Sequence, residues 1–297
     1  AATGRETGFW TCGTVSTAWD AADLATLRQL YEFGETLGVE AEMLGARDLR
    51  ALEPALAPGP AGGLYAAGDH EVDPRMLHAA LLAAADLVGA RFVRAAARLR
   101  TTNAGTMIVD LDDGSSLDAG TVVVAAGAWS GVLDGLTPAA RPPVRPVKGQ
   151  TLLLRPDRPL IGRVVRASIK GAPVYLVPRR NGDVVVGASV EEAGFDIRPR
   201  AGAVYDLLRD AQTALPELGE AQLVEVNTGL RPGSPDNSPL IGPSSTPGLI
   251  FATGHYRNGI LLTPITADAV TTYIVEGAVP DDVLPFSPGR FAEAIPA

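Results

Sequence analysis

The chain of 297 residues carries a formal net charge of -9, and a size above the usual single core predicts two domains or one elaborate one. With 46% hydrophobic and 20% charged residues, it falls among ordinary globular proteins and outside the disordered and fibrous classes. The acidic balance argues against a nucleic-acid partner, which needs clustered Lys and Arg on one face, and no apolar run approaches the roughly 20 residues of a membrane span.

Gly8 to Val15 reads as a strand, leading into an amphipathic helix from Asp20 to Leu37 with Asp20 or Asp23 as N-cap and Leu24, Leu27, Leu30 and Tyr31 on one stripe. Glu53 to Gly68, rich in Pro, Gly and Ala, reads as a loop. Asp73-Pro74 opens a second helix through Val88, with Gly89 at its end; its Ala-rich stretch from Leu77 reads as a core helix. A short strand is expected at Arg91 to Val93, then a hairpin from Thr106 to Leu111 and Leu117 to Ala119 about Asp112-Asp113-Gly114. Thr121 to Ala126 is apolar on both faces and predicts a strand in the buried middle of a parallel sheet.

Beyond Gln150 the pattern becomes extended and antiparallel. Thr151 to Leu154, Val174 to Val177 and Val184 to Ala188 read as strands, the last two joined by a turn at Arg180-Asn181-Gly182. A helix is expected at Ala203 to Ala214, a strand near Val224 to Thr228, another at Leu249 to Ala252, and a helix beginning near Ile260. The fold class is therefore α/β plus α+β, with two domains interleaved in sequence. Ligands in α/β sheets bind beyond the carboxyl ends of the strands, which Gly127 and Gly254 mark here.

The segment Gly254-His-Tyr-Arg-Asn-Gly-Ile-Leu-Leu-Thr-Pro264 couples two glycines, which permit close backbone approach, to the free N–H groups of a helix start. By spacing alone, a plain strand-to-helix turn remains open. The only cysteine is Cys12 and the only histidines are His70, His78 and His255, so neither an internal disulfide nor a His/Cys metal site is expected. A reducing cytoplasm is the natural compartment for such a composition, and residues 1 to 9 lack the basic start and apolar core of a signal peptide.

That segment resembles the flavin-facing loop of glycine oxidases and related members of the D-amino acid oxidase family. Five further segments resemble family motifs in the same order: Val122 to Ser130, Pro146-Val-Lys-Gly-Gln150, Val174 to Arg179, Val186-Gly-Ala188 and Gly229-Leu-Arg-Pro-Gly233. The resemblance implies an incomplete FAD-binding, Rossmann-like domain with an interleaved, mainly antiparallel substrate domain. It divides the chain into a substrate-domain part at 1–60, an FAD-domain part at 61–145, the antiparallel substrate domain at 146–235, and the FAD-domain return with a C-terminal helix at 236–297.

It also implies oxidative deamination of glycine and small D- or N-alkyl amino acids, as in thiamine precursor synthesis. Hydride passes to a noncovalent FAD, and molecular oxygen reoxidises the flavin to give peroxide. Arg231 would clamp the substrate carboxylate bidentately, Tyr175 would donate its hydroxyl to the same group, and Arg257 would face the cavity. FAD would be contacted by Ala126, Gly127 and the run His255, Tyr256, Arg257, Asn258, Gly259, Ile260 and Leu261, with Arg98 at the adenine-contacting position, where the family has an aliphatic side chain. No protein group would be catalytic in the acid-base sense, and His255 would be structural. Val190 and Pro173 replace bulkier or polar residues, which implies a wider pocket. A homo-oligomer resembles family behaviour.

The sequence holds no strand followed by G-x-G-x-x-G and a helix, the unit that grips a dinucleotide pyrophosphate. The family order places that unit ahead of Ala1, so the expectation is a truncated, processed or split chain with weak FAD binding by itself. Two other readings stay open: a dehydrogenase passing electrons to quinone, and a noncatalytic remnant of the fold.

Overall fold

The computed structural model describes residues 3–101, 106–169 and 171–291; the outermost residues of the first and last expected segments lie outside these. In chain order the elements are β1 (Thr14–Ala18), α1 (Ala21–Thr36), β2 (Glu42–Gly45), α2 (Ala46–Leu52), β3 (Gly62–Ala66), α3 (Pro74–Leu87), β4 (Ala97–Thr101), β5 (Met107–Leu111), β6 (Ser116–Ala119) and β7 (Val122–Val124). They continue with β8 (Arg145–Arg155), β9 (Val164–Ile169), β10 (Ala172–Pro178), β11 (Val184–Gly187), α4 (Ala201–Ala214), β12 (Gln222–Gly233), β13 (Leu240–Pro243), β14 (Leu249–Thr253) and α5 (Thr263–Glu276). The chain divides into two compact units, one of Ala1–Arg91, Gly149–Val190 and Arg198–Thr228, the other of Phe92–Lys148, Glu191–Ile197 and Gly229–Ala297.

The first unit is built on a sheet of order β12-β8-β11-β10-β9-β1-β3-β2. In β10 burial alternates as the pleat of a strand with one packed face requires: Val174 and Leu176 are buried, and Tyr175 and Val177 are half-buried. The pairing of β1 with β9 is parallel, from Thr14 against Val164 to Ala18 against Ser168, while β1–β3, β9–β10, β10–β11 and β11–β8 are antiparallel. Against this face α4 lays Leu207, Ala211 and Ala214, at helical spacing, into one core with Val15, Leu152, Leu176 and Val186. Each fully buried Leu or Val there contributes about 1.5–3 kcal/mol of burial free energy.

Helix starts follow local chemistry. Asp20 accepts from Asp23 N to cap α1, and Asp73 accepts from Arg75 N and Met76 N ahead of Pro74 to cap α3. Two expectations fail in this unit. The stretch Glu53 to Gly68 is no simple loop, since Gly62-Gly63 lie inside β3, where an added Cβ would meet Leu44 O and Ser16 O at 2.8 Å each. Glycine is required by the close approach of backbones there, and a Gly-Gly pair carries no alternation for a sequence reading to find. Nor is α3 a core helix: only Ala80 is buried, and Leu81, Leu82, Leu87 and Val88 are exposed.

In the second unit β14 pairs β7 in parallel and β13 antiparallel, and β4-β5-β6 form an antiparallel meander. Leu99, Met107, Val124, Leu136, Leu249 and Phe251 make its core, and Ala269 of α5 packs with Ile241 and Val283. Among the described residues β7 is an edge strand of a three-stranded sheet with Val123 exposed, not the buried middle strand expected. Residues 91–93 form no strand, and Phe92 and Val93 are exposed.

Candidate active site

Within the second unit the polar and glycine-rich residues gather at the carboxyl ends of β7 and β14, where a parallel pair leaves its last peptide groups facing outward. Beyond β7 the chain turns at Gly127 (φ +55°) into a short 3-10 turn, Gly127–Val132. Ser130 Oγ donates to Thr253 Oγ1 at 2.8 Å, and Thr253 Oγ1 donates to Gly127 O at 3.1 Å. Ser130 and Thr253 are buried, so these hydroxyls must be satisfied internally, and satisfying each other ties the two strand ends together.

Beyond β14, Gly254 adopts φ +75° and Tyr256 φ +50°. A left-handed tyrosine is an uncommon, strained conformation, of the kind that clusters at functional sites. It is held by Tyr256 N donating to Pro232 O at 3.0 Å and by the antiparallel bridge of Gly233 with His255. Asn258 N then donates to His255 O at 2.9 Å, Leu262 N to Asn258 O at 2.9 Å, and α5 begins at Thr263 with no side-chain hydrogen bond at its cap, Leu262. Thr263 N is also taken, by Ile260 O at 3.3 Å, and Pro264 has no N–H, so this helix start offers an acceptor chiefly the positive end of its dipole.

Arg231 lies near the end of β12, one residue before the peptide that Tyr256 grips; it is half-buried, and its Nη1 donates to Lys148 O at 3.3 Å. Lys148 is fully buried and forms an ion pair with Glu191, Nζ to Oε2 3.3 Å. Arg257, Asn258, Gly259, Ile260 and Leu261 are exposed on the loop, Ala126 is half-buried, and Arg98 is exposed on β4. His255 is half-buried, its Nε2 is 2.9 Å from Thr266 Oγ1, and burial holds its pKa below the ordinary 6.5. A neutral imidazole tied to α5 is a structural element of the loop.

Tyr175 belongs to the first unit, where its ring lies across Gly187 of the neighbouring strand; a Cβ on Gly187 would sit 2.2 Å from the ring. In the second unit the end of β12 beyond Arg231 is thus joined to the loop at 255–256, and that loop's strand to Gly127, while Arg98 is exposed in the meander sheet. Cys12, in the first unit, has its thiol pKa raised by burial, which makes it a poor nucleophile. Sequence reasoning passed over Ser130, Thr253 and the Lys148–Glu191 pair as site-building groups. The signal available was a Lys and a Thr inside otherwise apolar strand ends, where a polar side chain needs a partner. Among the described residues no group of three or more His, Cys, Asp or Glu could hold a metal, and no helix is long and apolar enough to cross a membrane.

Residues 1–273 match the profile of the DAO family, described as FAD dependent oxidoreductase. The chain is 32% identical over 258 residues to the hydrogen cyanide synthase subunit HcnC of Pseudomonas aeruginosa, covering 86% of this chain and 61% of that protein. It is 32% identical over 275 residues to the bifunctional protein ThiO/ThiG of a Nostoc species, covering 92% of this chain and 41% of that protein. The chain thus spans only part of the length of these relatives. The crystal structure of glycine oxidase from Geobacillus kaustophilus superposes with a TM-score of 0.87 at 32% identity, covering 97% of this chain and 77% of that one. The mixed α/β fold is therefore that of the glycine oxidase structure.

Proposed function

The chain belongs to the FAD-dependent oxidoreductase family, and from that premise we propose that it serves the oxidative deamination of glycine and small D- or N-alkyl amino acids. The observation that carries the reading is that β12, which bears Arg231, ends hydrogen-bonded to the loop at 254–260 through Tyr256 N and Pro232 O at 3.0 Å. An arginine on a strand whose end is tied to a glycine-bearing strand-to-helix loop suits a small amino acid held by its carboxylate. Of FAD, the flavin end fits these residues: Gly127 and Gly254, at φ +55° and +75°, turn the chain sharply beyond two parallel strands, and α5 starts directly after the loop. The backbone from His255 to Leu261, with Ala126 and Gly127, would hold it.

When bound, FAD supplies the acceptor for a hydride from the α-carbon, leaving an imine for hydrolysis, and oxygen returns the flavin to its oxidised form with release of hydrogen peroxide. The chain's own task is positioning. Arg231 would receive the carboxylate on two parallel N–H donors, a geometry that Lys cannot reproduce. Neutral His255, held against Thr266, keeps the loop in place and takes no proton. Arg257, exposed on the same loop, would add a second positive charge beside the substrate. Likeness to the ThiO/ThiG protein supports a place in thiamine synthesis.

The test is peroxide release from glycine in air by FAD-loaded protein, beside the Arg231→Lys variant. The expected result is a loss of kcat/KM of at least 10²-fold in the variant, carried mainly by KM. An Arg231→Lys variant with unchanged kinetics would defeat the reading. Turnover that reduces an artificial quinone but yields no peroxide would instead support a dehydrogenase, and absence of turnover with every amino acid would support a noncatalytic remnant.

A further inference from the structure

The geometry points to Lys148 and Glu191 as positioning residues for Arg231, a buried charged brace that sets where the guanidinium receives a carboxylate; this rests on the reading of Arg231 as the carboxylate clamp. Lys148 and Glu191 exchange both backbone hydrogen bonds, Lys148 N to Glu191 O and Glu191 N to Lys148 O, each at 2.9 Å. Their side chains close the same pair as an ion pair at 3.3 Å, with the Lys148 side chain 0% and the Glu191 side chain 24% exposed. The Lys148 carbonyl that accepts Glu191 N also accepts Arg231 Nη1 at 3.3 Å.

One peptide oxygen thus fixes both the bridging segment and the guanidinium. Displacing the segment at Glu191 displaces the oxygen and, with it, the fork of donors. Arg145, three residues earlier on the same strand, repeats the tie: its Nε pairs with Glu192 Oε1 at 3.3 Å and its Nη1 donates to Ser234 O at 2.8 Å. The start of β8, the bridge at 191–192 and the end of β12 are therefore laced together around Arg231.

A charged pair is an unusual choice for a brace. Desolvating two ions offsets much of their attraction, and apolar residues of the same volume often stabilise a protein as well or better. What the pair adds is direction: an ion pair reinforcing a backbone bridge admits one register, and a misplacement of about 1 Å at a binding group can lower a rate by about 10²-fold.

Because either single variant takes one charge from the pair around fully buried Lys148 and can fail to fold, the deciding protein is the double variant Lys148→Met/Glu191→Leu, which removes both charges and keeps the backbone bridge. In FAD-loaded protein, the measurements are kcat and KM for glycine, the calorimetric dissociation constant for acetate, a carboxylate with no amine, and the melting midpoint. The double variant is expected to melt within a few degrees of wild type, with the glycine KM and the acetate dissociation constant each raised about 10-fold and kcat within about threefold, a selective loss of about 1.4 kcal/mol in carboxylate binding. Wild-type acetate affinity in a double variant that melts normally overturns the brace, and so does equal loss in kcat and KM. Arg231→Lys is run beside it: if acetate binding survives there, the clamp reading fails and the brace falls with it, whereas loss in Arg231→Lys with no loss in the double variant overturns the brace alone.

Discussion

Replacing Thr253 by Val removes one hydroxyl from the pair that joins the ends of β7 and β14, while keeping the side chain's shape. Thr253 Oγ1 both accepts from Ser130 Oγ at 2.8 Å and donates to Gly127 O at 3.1 Å, so the change leaves a donor and an acceptor unpaired at once. Ser130 is fully buried, and its orphaned hydroxyl costs about 1–3 kcal/mol. Gly127 is only half-buried, so water can reach part of its carbonyl's surroundings and the second loss is smaller. Thr253→Val is thus expected to destabilise by about 2–3 kcal/mol. Ser130→Ala removes one hydrogen bond but leaves Thr253 bonded to Gly127, for about 1 kcal/mol. In the double variant the buried donor is gone together with its acceptor, so its loss should be about 1 kcal/mol less than the sum of the singles, the coupling expected of groups in contact. Urea unfolding followed by circular dichroism measures all four proteins under one protocol, with an unchanged m-value as the check that the denatured state is the same. Additive losses, or a Thr253→Val protein as stable as wild type, would refute the network.

Gly187→Ala should destabilise the first unit by about 1–3 kcal/mol, the usual range for overpacking, because the new Cβ would lie 2.2 Å from the Tyr175 ring; urea midpoints test this, and a neutral substitution contradicts it. The Arg290 guanidinium holds the Asp236 carboxyl down to about 2 from an ordinary 3.8. A depressed folded pKa gives stability that is complete above the unfolded value and is lost as pH falls through about 2. The melting-temperature gap between wild type and Asp236→Asn should therefore be steady at pH 5 to 7 and shrink below pH 4; a gap that widens on acidification contradicts the pairing. The His255 imidazole, held below 6.5 by burial, should titrate by NMR with a lower midpoint than an exposed histidine. A midpoint above that value would show a charged ring and remove its structural assignment.

Signals that live within a few residues were legible in the sequence. Asp20 and Asp73-Pro74 cap α1 and α3 as their side chains dictate, and Gly114 and Gly182 take φ +86° and +88° in the two hairpin turns expected of them. The strand-to-helix character of 249–264 was readable from an apolar run followed by two glycines, and the family resemblance singled out the residues within it. Such features depend on a side chain and its own backbone, so the chain determines them wherever it folds.

Tertiary structure alone decided the rest. The parallel pairing of β1 with β9 joins segments far apart in the chain, and no local pattern encodes a distant register. Gly62 and Gly63 look like loop residues until the backbones of β1 and β2 press against β3. The apolar face of α3 reads as core from composition, yet burial depends on what packs there, and among the described residues Leu81, Leu87 and Val88 are exposed. Lys148 and Glu191 show the same limit at the site. A lysine in an apolar strand says that a partner is needed, but a charge is satisfied by whichever group the fold brings within reach, and that choice is made in space.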